Sequence, residues 1–261
     1  MVSAHIRSLY THRELVVAWT MRIIRARYKQ SVLGGLWAII QPAAAAVIAT
    51  VIFTLFVPID TGDVPYLVFS YTAMVPWTLF SGSITDMVDS MTGNMGLVSK
   101  IYFPREVLPI AALLARLLDF AVAASIVALL ILFSRTSVSL LGLLCLPVIL
   151  AVQLALALGL GLAGAALNVF YRDIRHLFFL GLQVWMYATP ILYPATAVPE
   201  QLRSLYFLNP MAGVIEAYRA VLLNHALPDL HLAISAVLST VILLVGYQFF
   251  KRAESQFADI I

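Results

Sequence analysis

The stretch "LLGLLCLPVILAVQLALALGLGLAGAAL", Leu140 to Leu167, decides the kind of fold, because it contains no charged side chain. About 20 consecutive apolar residues suffice for a helix to cross the hydrocarbon core of a bilayer, and this run is longer. Within it, "GLGLAG", Gly159 to Gly164, fits the G-x-G-x-x-G pattern of dinucleotide sites. That pattern requires a preceding strand, so we interpret it here as close helix packing, with Gly161 and Ala165 as a small-xxx-small pair.

The composition of the whole chain also indicates a membrane protein. Of its 261 residues, 62% are hydrophobic and only 11% are charged. Soluble domains have about 25% charged residues, so this chain lacks the polar surface that water requires. Its single cysteine, Cys145, lies in an apolar run and is interpreted as a small core residue.

Apolar runs of about 17 to 25 residues predict an all-α fold with six transmembrane helices. In chain order these are residues 36–57, 65–88, 107–133, 140–167, 177–193 and 230–250. The fifth is the shortest. We expect one transmembrane domain over residues 1–261, and six spans would place both termini on the same side.

The basic residues predict which side that is. Three of them, Arg135, Arg203 and Arg219, fall on the side opposite the termini. The terminal side holds twelve, namely Arg7, Arg13, Arg22, Arg25, Arg27, Lys29, Lys100, Arg105, Arg172, Arg175, Lys251 and Arg252. Because Lys and Arg concentrate in cytoplasmic segments, both termini are expected to be cytoplasmic. The pI near 9.1 follows from this topology and does not indicate a nucleic-acid partner.

Residues 10–33 predict an amphipathic helix at the cytoplasmic interface. Apolar and basic residues occupy adjoining strips, and the candidate interface residues are Trp19, Arg22, Arg25, Arg27 and Lys29. Two interpretations remain open. The helix could lie on the lipid surface with its basic residues against anionic headgroups, or it could be wedged between lipid and another protein.

The connection "NMGLVSKIYFPRE", Asn94 to Glu106, is unusually apolar for a segment that faces the cytoplasm. It offers Leu97, Val98, Ile101, Tyr102 and Phe103. Exposed apolar surface of this kind indicates a binding partner. The alternative is packing against the N-terminal helix of the same chain.

Charges within spans are costly unless they are paired or line a polar cavity. Arg116 and Asp119 are three residues apart on one predicted helix, so we expect them to pair with each other, in preference to a role in transport. Asp86 and Asp89 share a face near the inner end of the second span, where water or basic residues would satisfy them.

The stretch "NPMAGVIEAYRAVLL", Asn209 to Leu223, predicts a helix that is too short to span. Asn209 is a suitable N-cap and Pro210 suits the first helical position. Glu216 and Arg219 can pair, which lowers the cost of placing them at membrane depth. The alternative to a helix that enters the membrane is a hairpin lying flat at the outer interface.

Two kinds of catalytic site are not indicated. No glycine is followed by lysine, so a Walker A loop is absent, and no Cys/His cluster has zinc-site spacing. We therefore expect a protein that is not an enzyme, with no cofactor and no metal on this chain.

Four stretches together resemble the membrane subunit of ABC-2 type exporters, specifically the permeases for O-antigen, capsule and teichoic acid. They are "RYKQSVLGGLWAIIQP" (27–42), "SKIYFPREVLP" (99–109), "YRDIRHLFFLGLQVWMYATPILYP" (171–194) and "NPMAGVIEAYRAVLL" (209–223). They stand in the family's order, and the likeness covers nearly the whole chain.

The resemblance implies a homodimeric permease in the bacterial inner membrane, bound to two copies of a separate ATPase that holds ATP and Mg. It assigns the interface helix to 10–33 and the ATPase-coupling segment to 94–105, with Leu97, Val98, Lys100, Ile101 and Tyr102. It assigns a re-entrant outer gate to 195–229, with Asn209, Pro210, Glu216, Tyr218 and Arg219. The implied substrate is a polysaccharide on a lipid carrier.

Sugars favour aromatic platforms beside hydrogen-bonding groups, and candidate channel-lining residues are Tyr71, Trp77, Phe80, Trp185 and Tyr187. Each of these could equally be an interfacial anchor or a packing residue. Two competing functions remain: an ABC-2 permease for a drug or other small amphiphile, and a scaffold for glycan assembly that transports nothing.

Overall fold

The structure, a computed structural model, describes residues 11–29, 31–62, 64–98, 103–134 and 140–257. Within these ranges the secondary structure is entirely helical, with no strand. The α-helices are α1 (Arg13–Tyr28), α2 (Trp37–Val51), α3 (Tyr66–Thr92), α4 (Met95–Val98), α5 (Val107–Phe133), α6 (Leu140–Leu143), α7 (Leu146–Phe170), α8 (Ile174–Tyr187), α9 (Glu200–Tyr206), α10 (Pro210–Leu222) and α11 (Leu230–Glu254). A 3₁₀ turn, Gly34–Leu36, precedes α2, a π-helical turn, Ile52–Phe56, follows it, and a second 3₁₀ turn, Ala195–Ala197, precedes α9.

Five helical segments in the described part of the chain are long and apolar enough to cross a membrane. They are Gly34–Phe56, Tyr66–Thr92, Val107–Phe133, Leu141–Phe170 and Leu230–Glu254. These correspond to five of the six predicted spans. Helix α3 continues past the predicted span 65–88 to Thr92, and helix α11 continues past the predicted span 230–250 to Glu254. The prediction of an all-helical multi-span protein is confirmed at this level.

The remaining predicted span, 177–193, is not confirmed. Its helix is α8, which has 14 residues and covers only about 21 Å at 1.5 Å per residue. Helix α8 begins earlier than predicted, at Ile174, and ends at Tyr187. Pro190 explains the early end, because it lacks a backbone N–H and disfavours helical geometry in the residue before it.

Helix α3 lies at the centre of the bundle. In the most apolar 18-residue stretch of α3, 78% of the residues are buried inside the protein, against 17% in the corresponding stretches of α5 and α11. It packs against α2, α5, α7, α8 and α10. Side chains from all of these helices therefore meet around α3.

Helices α7 and α11 pack against each other with their backbones in contact. A Cβ atom on Gly246 would lie 2.1 Å from the carbonyl oxygen of Gly159, so the two backbones are in direct contact. The motif "GLGLAG" therefore belongs to a helix-packing interface. Gly161 of the predicted pair also lies at a helix contact, since a Cβ atom there would lie 2.4 Å from the sulfur of Met87 in α3.

Candidate functional site

Four charged side chains join α1 to the centre of the bundle. Arg27 of α1 donates to Asp119 of α5 at 2.5 Å and to Asp86 of α3 at 2.6 Å. Arg116 of α5 donates to both oxygens of Asp86, at 2.6 and 2.9 Å, and lies 3.5 Å from Asp119. We call Arg27, Asp86, Arg116 and Asp119 the four-charge network.

The four-charge network is formally neutral and largely shielded from solvent. Its side chains retain between 14% and 25% of their accessible surface. The hydroxyl of Tyr28 also donates to Asp119. Burial and the contact with Asp119 raise the pKa of Tyr28, so its phenol remains a neutral donor.

Sequence spacing identified only part of the four-charge network. The Arg116–Asp119 distance is the longest of its ion pairs, and each residue has a closer partner on another helix. The informative signal was the isolation of Asp86 and Asp119 in apolar spans, which requires cations from elsewhere. Local spacing does not reveal that Arg27 supplies one of them.

Helix α1 otherwise contacts the bundle through apolar side chains. Trp19 and Ile23 pack against the main core, while Arg25 and Lys29 are exposed. The guanidinium of Arg22 lies 4.3 Å from the centre of the Trp19 ring. Helix α1 is therefore packed against the rest of the chain along one side and open along the other.

The predicted coupling segment begins at α4. Asn94 donates to the carbonyl of Ser90 and so closes the end of α3 before α4 starts at Met95. Leu97 and Val98 belong to α4, whereas Lys100, Ile101 and Tyr102 lie outside the described residues.

The residues that follow this segment are tied to the end of α11. Glu106 is fully buried and accepts from Lys251 at 2.5 Å, and Lys251 also reaches Glu254 at 2.8 Å. Arg105 donates to the backbone carbonyl of Glu254 and lies over the ring of Phe257. We call Arg105, Glu106, Lys251 and Glu254 the α11 clamp. Sequence analysis counted Lys251 only as a topology signal and missed this contact.

Asn209 joins the start of α10 to the end of α8. Its side-chain oxygen accepts from the backbone N–H of Met211 at 3.1 Å, which is an N-cap contact, and from the indole N–H of Trp185 at 2.8 Å. Its amide nitrogen donates to the carbonyl of Ala188 and the hydroxyl of Thr189. One side chain thus satisfies groups on both helices.

Arg219 makes a second connection between α10 and the turn after α8. It is only 2% exposed and donates to the carbonyls of Pro190 and Ile191 and to Glu216. Its guanidinium also lies 3.6 Å from the ring centre of Phe69. The carboxylate of Glu216 lies 3.1 Å from this guanidinium and balances its charge.

The other gate candidates lie in the same packed region. Pro210 occupies the first helical position of α10 and is buried, and Tyr218 is 4% exposed. The Tyr218 hydroxyl has no hydrogen-bond partner among the described residues. Helix α10 is therefore mostly enclosed by protein.

The candidate channel-lining aromatics occupy different environments. Tyr71, Phe80 and Trp77 are buried, and Phe80 packs edge-on against Trp185 with ring centres 5.4 Å apart. Trp185 is partly exposed, and Tyr187 is 63% exposed. In this conformation Tyr71 and Phe80 contact the protein's own core, while Tyr187 lies on its surface.

Long apolar helices with paired charges between them define a multi-pass helical membrane protein. The chain belongs to the ABC-2 type transporter family, whose model matches residues 14–223. It is 30% identical over 258 residues to the O-antigen export system permease protein RfbA of Myxococcus xanthus, covering 97% of this chain and 98% of that protein.

Two further relatives extend this similarity. The O-antigen export system permease protein RfbA of Klebsiella pneumoniae is 29% identical over 95% of both chains. The polysialic acid transport protein KpsM of Escherichia coli is 26% identical over 92% of this chain and 93% of its own length. The resemblance to this family that the sequence motifs indicated is thus confirmed.

Proposed function

We propose that this chain is the membrane permease subunit of an ATP-driven exporter that moves a lipid-linked polysaccharide from the cytoplasmic to the outer side of the inner membrane. The observation that carries this proposal is the end-to-end similarity to permeases named for O-antigen export and polysialic acid transport. None of these relatives is named as a permease for a drug or another small amphiphile.

The energy source is proposed to be a separate ATPase that binds ATP and Mg, with two permeases and two ATPases in the complex. The family is the permease component of such transporters. The proposed ATPase contact is the apolar segment around Leu97, Val98, Lys100, Ile101 and Tyr102. An apolar segment that faces the cytoplasm is expected to bind a partner protein, which removes its side chains from water.

The proposed topology has six spans and cytoplasmic termini. Helix α8 together with the turn 188–194 would complete the fifth crossing, and helices α9 and α10 would enter the membrane from the outer side. This arrangement agrees with the excess of Lys and Arg on the terminal side.

The contacts suggest how a movement at the ATPase would reach the spans. The coupling segment lies between α3 and α5, and the four-charge network joins both of these helices to α1. The α11 clamp ties the end of the segment to the last span. A shift of the docked segment would therefore displace α1, α3, α5 and α11 together.

Deletion of the gene in the source bacterium tests the proposed function. Export by this permease requires the polymer to accumulate inside the cell while its synthesis continues. Normal polymer at the cell surface would overturn the proposal. A non-transporting scaffold predicts a different result, namely loss of polymer synthesis itself.

Copurification tests the ATPase contact. The double change Leu97→Asp and Ile101→Asp is expected to release the ATPase from the purified permease. Leu227→Asp is the matched control, because Leu227 is 56% exposed in the connection between α10 and α11, far along the chain from the coupling segment. Retention of the ATPase by the double variant would refute the assignment.

A further inference from the structure

The buried central stretch of helix α3 has one partly exposed strip, and most of the side chains on that strip are polar. Between Val68 and Val88 every residue of α3 is buried except five. These are Thr78, Ser81, Gly82, Thr85 and Asp86. Their spacing of three or four residues places them on a single face of the helix.

Four residues of the strip, Thr78, Ser81, Gly82 and Thr85, form one wall of a groove between α2, α3 and α8. The groove has a volume of about 290 Å³, and its polar lining includes Gln41 of α2 and Gln183 of α8. Trp77 and Phe179 add aromatic surface. We call it the polar groove.

The hydroxyl groups in the polar groove already use their protons in hydrogen bonds to the backbone of α3. Thr78, Ser81 and Thr85 each donate to the carbonyl four residues earlier in α3. Each hydroxyl oxygen keeps lone pairs that can accept a hydrogen bond. The strip therefore offers acceptors along its length.

The two glutamines supply both donors and acceptors. Gln41 and Gln183 are exposed, and neither side-chain amide bonds to any described residue. Gln41 lies in a segment apolar enough to span the membrane, as do the hydroxyl residues of α3. An amide that faces hydrocarbon without a partner costs several kcal/mol, so the groove is unsuited to lipid chains.

The charge of the polar groove distinguishes between possible polar occupants. Its one lining cation is Arg116, which is already held by both oxygens of Asp86. A diphosphate group would require cations that are not engaged in this way. Uncharged hydroxyl-rich groups fit better, because neutral amides and hydroxyls can exchange hydrogen bonds with them.

We propose that the polar groove forms part of the translocation path and contacts the sugar hydroxyls of the passing glycan through Gln41, Gln183 and the α3 strip. This proposal rests on the proposed function and identifies where the substrate touches this chain. Among the sequence candidates it retains Trp77 as a lining residue and adds the two glutamines, which sequence analysis did not select.

The first test replaces each amide by an apolar side chain of similar length in the intact permease–ATPase complex. Gln183→Leu and Gln41→Leu are each expected to lower the rate of surface glycan delivery by about tenfold, the factor for roughly one hydrogen bond lost in the rate-limiting state. The amount of assembled complex is expected to remain unchanged. Val184→Leu is the matched control, because Val184 is exposed on α8 but does not line the groove.

Wild-type export by the two Leu variants would overturn the proposal. Loss of assembled complex in both variants would also overturn it, because the amides would then be structural. Failure of the proposed function itself is distinguishable, since the unmodified complex would then deliver no glycan.

The second test probes occupancy directly. In a Cys145→Ser background, Gln183→Cys is expected to react with a water-soluble maleimide more slowly in complexes stalled with glycan than in cells that make none. A disulfide between two copies at this position, with the same maleimide rate in both conditions, would instead identify the groove as a permease–permease contact and refute the glycan assignment.

Discussion

Replacing Arg27 by Met would remove the guanidinium that joins α1 to both α3 and α5. The change leaves Asp119 with only the 3.5 Å contact to Arg116 and the hydroxyl of Tyr28, and gives the four-charge network a net negative charge. Exposed ion pairs contribute about 0–1 kcal/mol, and breaking a buried pair costs about 3–5 kcal/mol. At 14–25% side-chain exposure the network lies between these limits, so we expect the docking of α1 to weaken by about 1–3 kcal/mol.

That loss corresponds to a change of about 5- to 150-fold in the equilibrium between docked and undocked α1. Limited chymotrypsin cleavage after Trp19, which packs against the main core when α1 is docked, measures this equilibrium in complexes reconstituted into lipid nanodiscs. Cleavage follows the population of the open form when opening and closing are fast relative to cutting. The cleavage rate of Arg27→Met is therefore expected to rise by the same factor.

A charge-balanced control separates the ion pair from other effects of the substitution. Arg27→Met with Asp119→Asn restores a neutral network, so the double change should cost less than the sum of the two single changes. Arg25→Met removes an exposed charge from the same helix and should leave cleavage after Trp19 unchanged. Equal rates for Arg27→Met and Arg25→Met would refute the idea that the network holds α1 in place.

Three further changes test other contacts. Glu106→Gln removes the buried carboxylate that holds Lys251. The assembled complex is then expected to hydrolyse more ATP per glycan exported, with ATP hydrolysis and glycan export measured in parallel assays. An unchanged ratio of ATP hydrolysed to glycan exported would exclude a role of Glu106 in coupling. Arg219→Met leaves the carbonyls of Pro190 and Ile191 without their charged donor, so we expect a lower melting temperature in detergent, by an amount equivalent to about 3–5 kcal/mol. Gly246→Leu would force α7 and α11 apart and should abolish folded protein, whereas Gly181→Ala, which meets nothing within 4 Å, should be tolerated.

The long helices could be predicted from the sequence because length and composition alone determine whether a segment can cross a bilayer. The N-cap at Asn209 could also be predicted, since capping depends on residues adjacent in sequence. The end of α8 was missed because the apolar pattern continues past Pro190, although that residue removes a backbone donor and disfavours helical geometry in the residue before it.

The polar contacts between helices could not be predicted in the same way. Local spacing pairs Arg116 with Asp119, yet the shorter bonds join Arg116 to Asp86 and Arg27 to Asp119, residues far apart in sequence. Such partners depend on which helix faces bring α1, α3 and α5 together. The same reason explains the α11 clamp, where Glu106 and Lys251 come from opposite parts of the chain.

The contacts of α10 also bear on how an outer gate would open. Asn209 bonds to the last residues of α8 at one end of α10, and Arg219 bonds to the turn 188–194 further along. Movement of α10 alone would break both sets of bonds and expose a buried guanidinium, at a cost of several kcal/mol. Movement of α8 and α10 as one body would preserve them. Because α8 forms a wall of the polar groove, such a movement would change the width of the groove and the position of α10 at the same time.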